Sequence, residues 1–245
     1  MRQRADRLLV ARGLAESRNR AQALIAAGLV LCNGRPLGKP SQELEETAEL
    51  TVTGRDHPWV SRGGVKLEAG LEAFGLNPAG SVCLDLGAST GGFVDVLLSR
   101  GAARVYAVDV GRGQLAGRLR DDPRVCSLER TDARELTQSH LPEPPGLISA
   151  DLSFISLTLA LPAALALAAP DAELIALVKP QFEAGRGAVG KGGILRDSTV
   201  RKAAIARVRD WLGSQPDWTV KGAIDSPIAG GDGNLEALIW GAKAV

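Results

Sequence analysis

The stretch Cys83-Leu-Asp-Leu-Gly-Ala-Ser-Thr-Gly-Gly-Phe93 constrains the fold of this chain more than any other. An apolar run ends in an acid, a turn with GxxxGG spacing follows, and a helix-like run begins; a parallel strand passes into its crossover helix in this way. Glycines there let the chain turn sharply and let backbone approach a bound ligand closely. The same rhythm repeats downstream. Short β-prone runs at 82–86, 105–109, 125–128, 147–150, 174–178, 220–224 and 235–240 alternate with helix-like segments. That alternation predicts a mainly parallel sheet, with its ligand crevice at the C-terminal strand ends.

The turn departs from the GxGxxG spacing that seats a pyrophosphate. Its wider spacing, with Asp85 at the strand tip, suits a ligand that presents an amino-acid ammonium. The next strand ends at Asp109, where a carboxylate can accept from both hydroxyls of a ribose. After the third, Glu129-Arg-Thr-Asp132 offers an adenine contact. Together these features resemble the class I methyltransferases. The resemblance implies S-adenosylmethionine as cofactor, held by Asp85, Gly87, Ser89, Thr90, Gly91, Gly92, Phe93, Asp109, Asp132 and Asp151.

The chain has 245 residues and a net charge of only +1, yet residues 1–40 carry eight Lys or Arg against two acids. A local positive field of that kind points to a polyanion partner. The same region reads as two short helices and a hairpin. Asp6 opens a helix stopped by Gly13, Ser17 caps a second that ends at Gly28, and Asn33-Gly34 turns a strand back on itself. The phrases Arg7-Leu-Leu-Val-Ala-Arg-Gly-Leu and Ala21-Gln-Ala-Leu-Ile-Ala-Ala-Gly-Leu-Val resemble the RNA-binding domain of ribosomal protein S4. That likeness implies phosphate contacts from Arg4, Arg18, Arg20, Arg35 and Lys39. Arg62, and Arg186 and Lys191 in the glycine-rich loop after Lys179, are further candidates for RNA. Phe154 is expected either to stack on a flipped base or to sit in the core.

Four residues complete a candidate reaction centre: Lys66, Asp151, Lys179 and Glu236. Asp151 and Lys179 end apolar strands and so face the crevice. The order lysine, aspartate, lysine, glutamate resembles the tetrad of FtsJ-like ribose 2′-O-methyltransferases. The surrounding phrases resemble the TlyA family, whose members act on cytidine in ribosomal RNA and some of which carry a haemolysin label. The likeness implies that Lys179 deprotonates or steers the 2′-hydroxyl, Asp151 and Glu236 orient it, and Lys66 adds a second positive charge.

The expected architecture is therefore α/β: an S4-type α+β RNA-binding domain at 1–58, a linker at 59–64, and a Rossmann-like methyltransferase domain at 65–245. Ribosomal RNA or a ribosomal subunit is the expected partner, the cytoplasm the expected location, and a monomer the favoured state. No metal is expected, because Cys32, Cys83 and Cys126 lie apart in apolar runs without CxxC spacing. The longest apolar run, 157–169, contains Pro162 and is too short to cross a bilayer, so it is expected as one buried helix. Two other functions stay open at this level: a non-enzymatic RNA-binding or assembly factor, and a haemolysin.

Overall fold

A computed structural model describes residues 2–15, 17–54, 57–185, 187–190 and 192–244. They form two compact units, 1–58 and 59–245.

The first unit contains β1 (Arg2–Arg4), α1 (Ala5–Ala11), α2 (Arg18–Ala26), β2 (Val30–Cys32), β3 (Arg35–Pro36), β4 (Glu43–Glu45) and β5 (Leu50–Val52). Ser17 caps α2 by accepting from the Arg20 amide. Asn33 and Gly34 both take positive φ, 50° and 75°, the conformation a two-residue hairpin turn requires. They join β2 to β3, and β5 pairs with the other side of β2. Leu8, Leu9, Leu24, Ile25 and Val30 pack together beneath. Asp6 lies inside the first turn of α1, fully buried. It accepts from Arg4, Arg18 and Gln22, and the Arg4 contact, against the cost of burial, holds its carboxyl far below the usual range.

The second unit begins with α3 (Gly63–Phe74), β6 (Val82–Leu86), α4 (Gly92–Ser99), β7 (Arg104–Asp109), α5 (Gly117–Arg120), β8 (Val125–Glu129) and β9 (Leu147–Ala150). It continues with α6 (Leu157–Ala160), α7 (Pro162–Leu167), β10 (Glu173–Val178), α8 (Pro180–Glu183), α9 (Ser198–Gly213), β11 (Trp218–Asp225) and β12 (Ala237–Lys243). The sheet runs β11-β12-β10-β9-β6-β7-β8. The strands from β10 to β8 are parallel, and β12 is antiparallel to both its neighbours. From β6 the chain winds one way to β7 and β8, then returns to the other side for β9 and β10. The crevice between the ends of β6 and β9 is therefore the switch point at which such sheets bind ligands.

Two details differ from the sequence reading. The run 157–169 makes two short helices, because Pro162 opens α7 at its first turn, and Leu159 stands exposed between them and solvent. Residues 59–64, read as a linker, pack with the second unit. Trp59 is buried against α3 and α4, a Cβ on Gly64 would lie only 2.4 Å from its side chain, and the Val60 amide donates to Asp95. Among the described residues no helix is long and apolar enough to cross a membrane.

Candidate active site

The glycine turn after β6 owes its composition to chain packing. Gly87 has φ of +83°, and a Cβ there would lie 2.5 Å from the Asp151 carbonyl oxygen. Gly91, at φ of +96°, has Leu115 and Leu119 where a side chain would project. Gly92 sits against Ser61 and the Gly64 amide. The turn is thus wedged between β9, the segment around α5 and the head of α3. The glycines were expected to let the backbone turn sharply and approach a ligand; Gly87 also lines the cleft described next. Phe93, also expected at the cofactor, is buried in the core with Val94 and Leu97. Ser89 and Thr90 are exposed.

Asp109 lies at the end of β7, where its Oδ1 accepts from the Gly111 amide at 2.7 Å and its Oδ2 from the Ser89 amide at 2.8 Å. Each oxygen keeps a lone pair, and a pair of vicinal hydroxyls is the donor set that matches. Beside it opens a cleft of about 360 Å³, lined by Gly87, Ser89, Asp109, Val110, Thr131 and Asp151 among others. Val110 is largely exposed there, and Gln114 accepts from the Ser89 hydroxyl at 3.1 Å. Neither was singled out in the sequence; an apolar residue directly after a strand-end acid was the available signal for Val110.

Asp85 lies fully buried in β6. Its Oδ1 accepts from Ser149 at 2.7 Å, while its Oδ2 is buried with no hydrogen-bond partner. Burial pushes this carboxyl up to about 7; the Ser149 bond opposes the shift, and the charges of Asp151 and Asp109 add to it. An acid so placed is satisfied either by its own proton or by a cation, met directly or through water. The donor and acceptor set therefore fits a nucleoside that carries an amino-acid group. Asp132 does not line this cleft. It caps the short turn at Ala133–Glu135 and pairs with Arg134 at 2.6 Å, a contact that holds its carboxyl below the usual range. It faces a second cavity instead.

The four residues of the expected tetrad form two ion pairs. Val178 pairs with Ala237 in the β10–β12 ladder, so Lys179 and Glu236 leave the sheet side by side. Asp151 follows β9, the other neighbour of β10, and its amide donates to Leu86. Lys179 Nζ lies 2.6 Å from Asp151 Oδ1 and donates to Ser153 Oγ at 2.8 Å. Lys66, one turn into α3, donates to Glu236 Oε2 at 2.5 Å; those side chains are 9% and 2% exposed. Glu236 is thus engaged by Lys66. Lys66, expected to supply a second positive charge at the target nucleotide, carries that charge against Glu236 in a buried pair.

The second cavity, of about 750 Å³, shares Val110, Ala133, Leu152, Ser153 and Phe154 with the cleft beside Asp109. Phe154 is 91% exposed and holds a φ of +65°, a left-handed conformation that costs a non-glycine residue about 1–3 kcal/mol. The alternative of a core position is thereby ruled out. Its ring lies 5.1 Å from that of Phe182. Arg186 and Lys191 lie outside the described residues. Farther along the chain, buried Asn234 accepts from the Leu195 amide and donates to the Gly193 carbonyl. Nothing in its sequence neighbourhood announced that role.

Of the other candidate RNA contacts, Arg35 and Lys39 are exposed, Arg18 is exposed but paired with Asp6, and Arg4 is half-exposed and paired with the same acid. Arg62 stands half-exposed at the head of α3. Arg20 is buried, which corrects its expected place on the surface.

Comparison with known proteins adds to this geometry. Residues 59–243 match the family described as FtsJ-like methyltransferase, and residues 3–50 match the S4 domain. The 16S/23S rRNA (cytidine-2′-O)-methyltransferase TlyA of Mycobacterium tuberculosis is 51% identical over 98% of this chain and 89% of its own. Hemolysin A of Brachyspira hyodysenteriae is 40% identical over 96% of this chain and 98% of its own. A solved structure from Streptococcus thermophilus, described as a candidate hemolysin, is 42% identical, superimposes with a TM-score of 0.77, and is matched over 99% of this chain and 89% of its own.

Proposed function

Because the chain belongs to the FtsJ-like methyltransferases, in the TlyA family with an S4 domain ahead of the catalytic one, we infer that it methylates a ribose 2′-hydroxyl of ribosomal RNA. The target nucleoside in this reading is cytidine, as it is for the M. tuberculosis relative. The methyl donor is S-adenosylmethionine, and the place of action is the cytoplasm.

The observation that carries the reading is the cluster of Lys179, Asp151 and Ser153, in which Asp151 lines the cleft beside Asp109 and Ser153 lines both that cleft and the adjoining cavity. One cavity is lined by Asp109, an acceptor for a nucleoside's ribose, with Asp85 buried in the strand that ends beside it; the other is larger and has an aromatic rim. S-adenosylmethionine, when bound, supplies a methyl group on sulfonium. Asp109 would hold its ribose hydroxyls and Asp85 would face its ammonium, directly or through water. The target hydroxyl must lose its proton as its oxygen takes the methyl carbon. Lys179 Nζ, held beside Asp151 and Ser153, is placed to steer that oxygen and to stabilise the negative charge it gains as its proton leaves. Holding both reactants in line supplies much of the acceleration.

The Lys66–Glu236 pair has a different part. It ties α3, whose first residue lies beside Asp151 and Phe93, to the entry of β12, and so fixes one wall of the site. Phe154 offers a face on which an unstacked base can rest. Exposed Arg35 and Lys39 of the S4 domain contribute phosphate contacts. The test is transfer of a labelled methyl group from S-adenosylmethionine to ribosomal subunits by the purified full-length protein. Label in the RNA is expected; no transfer to either subunit or to naked ribosomal RNA would overturn the reading.

A further inference from the structure

We propose that Glu183 is a positioning residue for the target nucleotide, acting through the segment 151–157; the proposal rests on the methyltransferase reading above. Glu183 ends α8, three residues after the Pro180 that opens it, and is buried. An acid in that place has to have partners. It has two, and both belong to the segment that follows β9. Its Oε2 accepts from Ser156 Oγ at 2.5 Å, and its Oε1 accepts from the Leu157 amide at 2.8 Å, one of the free donors at the start of α6. Arg207 of α9 in turn donates to the Glu183 carbonyl at 2.5 Å, which fixes the clamp to a long helix.

Lys179 makes the matching attachment four residues earlier. It reaches Asp151 and Ser153, while Glu183 reaches Ser156 and Leu157. Between the two attachments stands Phe154, exposed and left-handed. A non-glycine residue keeps such a backbone only where its surroundings over-determine it. Here the surroundings are the two anchors and the Phe182 ring between them in sequence. Glu183 therefore holds Phe154 out over the 750 Å³ cavity without itself being among the residues that line it. The acid contributes no atom to methyl transfer; it sets where the base rests.

The experiment is a double-mutant cycle on the full-length protein with ribosomal subunits as substrate. It uses Glu183→Ala, Phe154→Ala and their combination, with Glu183→Gln as the conservative variant and S-adenosylmethionine binding measured for each. Glu183→Ala is expected to lower kcat/KM for RNA on the order of ten- to a hundred-fold, with the Kd of S-adenosylmethionine unchanged. Glu183→Gln, which keeps one acceptor, is expected to recover part of the loss. In the combined variant, Glu183→Ala should add little to the loss from Phe154→Ala, because both remove the same support. Multiplying losses, or a Glu183→Ala enzyme with full activity, would overturn the proposal. If Glu183→Ala does not fold, the cycle is run with Glu183→Gln, and the same non-additivity decides. Wild-type protein that transfers no methyl to RNA counts against the methyltransferase reading, whereas active wild type with an additive cycle counts against Glu183 alone.

Discussion

Two lysine–carboxylate pairs stand at the same rim of the sheet, and they differ in what surrounds them. Lys66 and Glu236 are sealed, with side chains 9% and 2% exposed, and they join a helix to a strand end. Lys179 and Asp151 are 11% and 22% exposed; Lys179 also donates to Ser153, and Asp151 and Ser153 line the cleft beside Asp109. Residues that are grouped as one tetrad in sequence divide in space into a sealed pair and a pair whose acid lines a cleft. A sealed pair contributes by not being broken, since loss of one partner leaves the other charge buried. In the second pair the acid keeps access to the cleft, so loss of its lysine leaves a carboxylate that water or ligand can still reach.

This contrast breaks most visibly at Lys179. Lys179→Ala is expected to lower methyl transfer by about a thousand-fold or more, the scale of losing a positioned acid–base group, while S-adenosylmethionine binding and thermal stability stay close to wild type. Glu236→Gln should do the reverse. Stripping Lys66 of its carboxylate is expected to cost about 3 kcal/mol in denaturant unfolding, with a smaller loss of activity. If Glu236→Gln unfolds like wild type while Lys179→Ala is destabilised, the two pairs have been assigned the wrong way round.

The cofactor cleft sharpens the comparison on its own side of the rim. Asp109→Ala removes the acceptors for two hydroxyls and is expected to weaken S-adenosylmethionine binding by about ten- to a hundred-fold in calorimetry. Asp85 should give a smaller, pH-dependent effect. Its carboxyl is pushed up to about 7 by burial, so below that pH the ligand-free site holds a proton that a cationic ligand must displace. Affinity is therefore expected to rise by about ten-fold per pH unit on approaching 7 and to level off above it. Asp85→Asn should lack that rise; an unchanged pH profile would separate Asp85 from the ligand's charge.

Much of the scaffold was legible in the sequence for simple reasons. Each of the seven strands of the sheet overlaps a β-prone run, and Asn33-Gly34 states its hairpin because few residues tolerate its backbone. The ends of β7, β9 and β10 were legible as well, since a charge that closes an apolar strand has to face an opening. What the sequence hid were contacts between distant segments. Gly91 and Gly92 pack against Leu119 and Ser61, which lie far from them in the chain. Asn234 reaches back to Gly193 and Leu195, and Glu183 to Ser156, so nothing near them in the chain marks them. Phe93 and Arg20 fell on the wrong side of the surface because a short helix in a tightly packed unit buries more than one face.

In the proposed reaction the Lys179 pair directs methylation to a ribose hydroxyl. The most direct measurement of that is the chemical form of the methylated residue in ribosomal RNA treated with the purified protein. A 2′-O-methyl group removes the hydroxyl that alkali needs to cleave the next phosphodiester, so methylated sites survive as alkali-resistant dinucleotides that mass spectrometry can identify. The prediction is resistant dinucleotides with 2′-O-methylcytidine at the 5′ position, present with wild type and absent with Lys179→Ala. Methyl groups found on a base, or 2′-O-methylcytidine made equally well by Lys179→Ala, would contradict it.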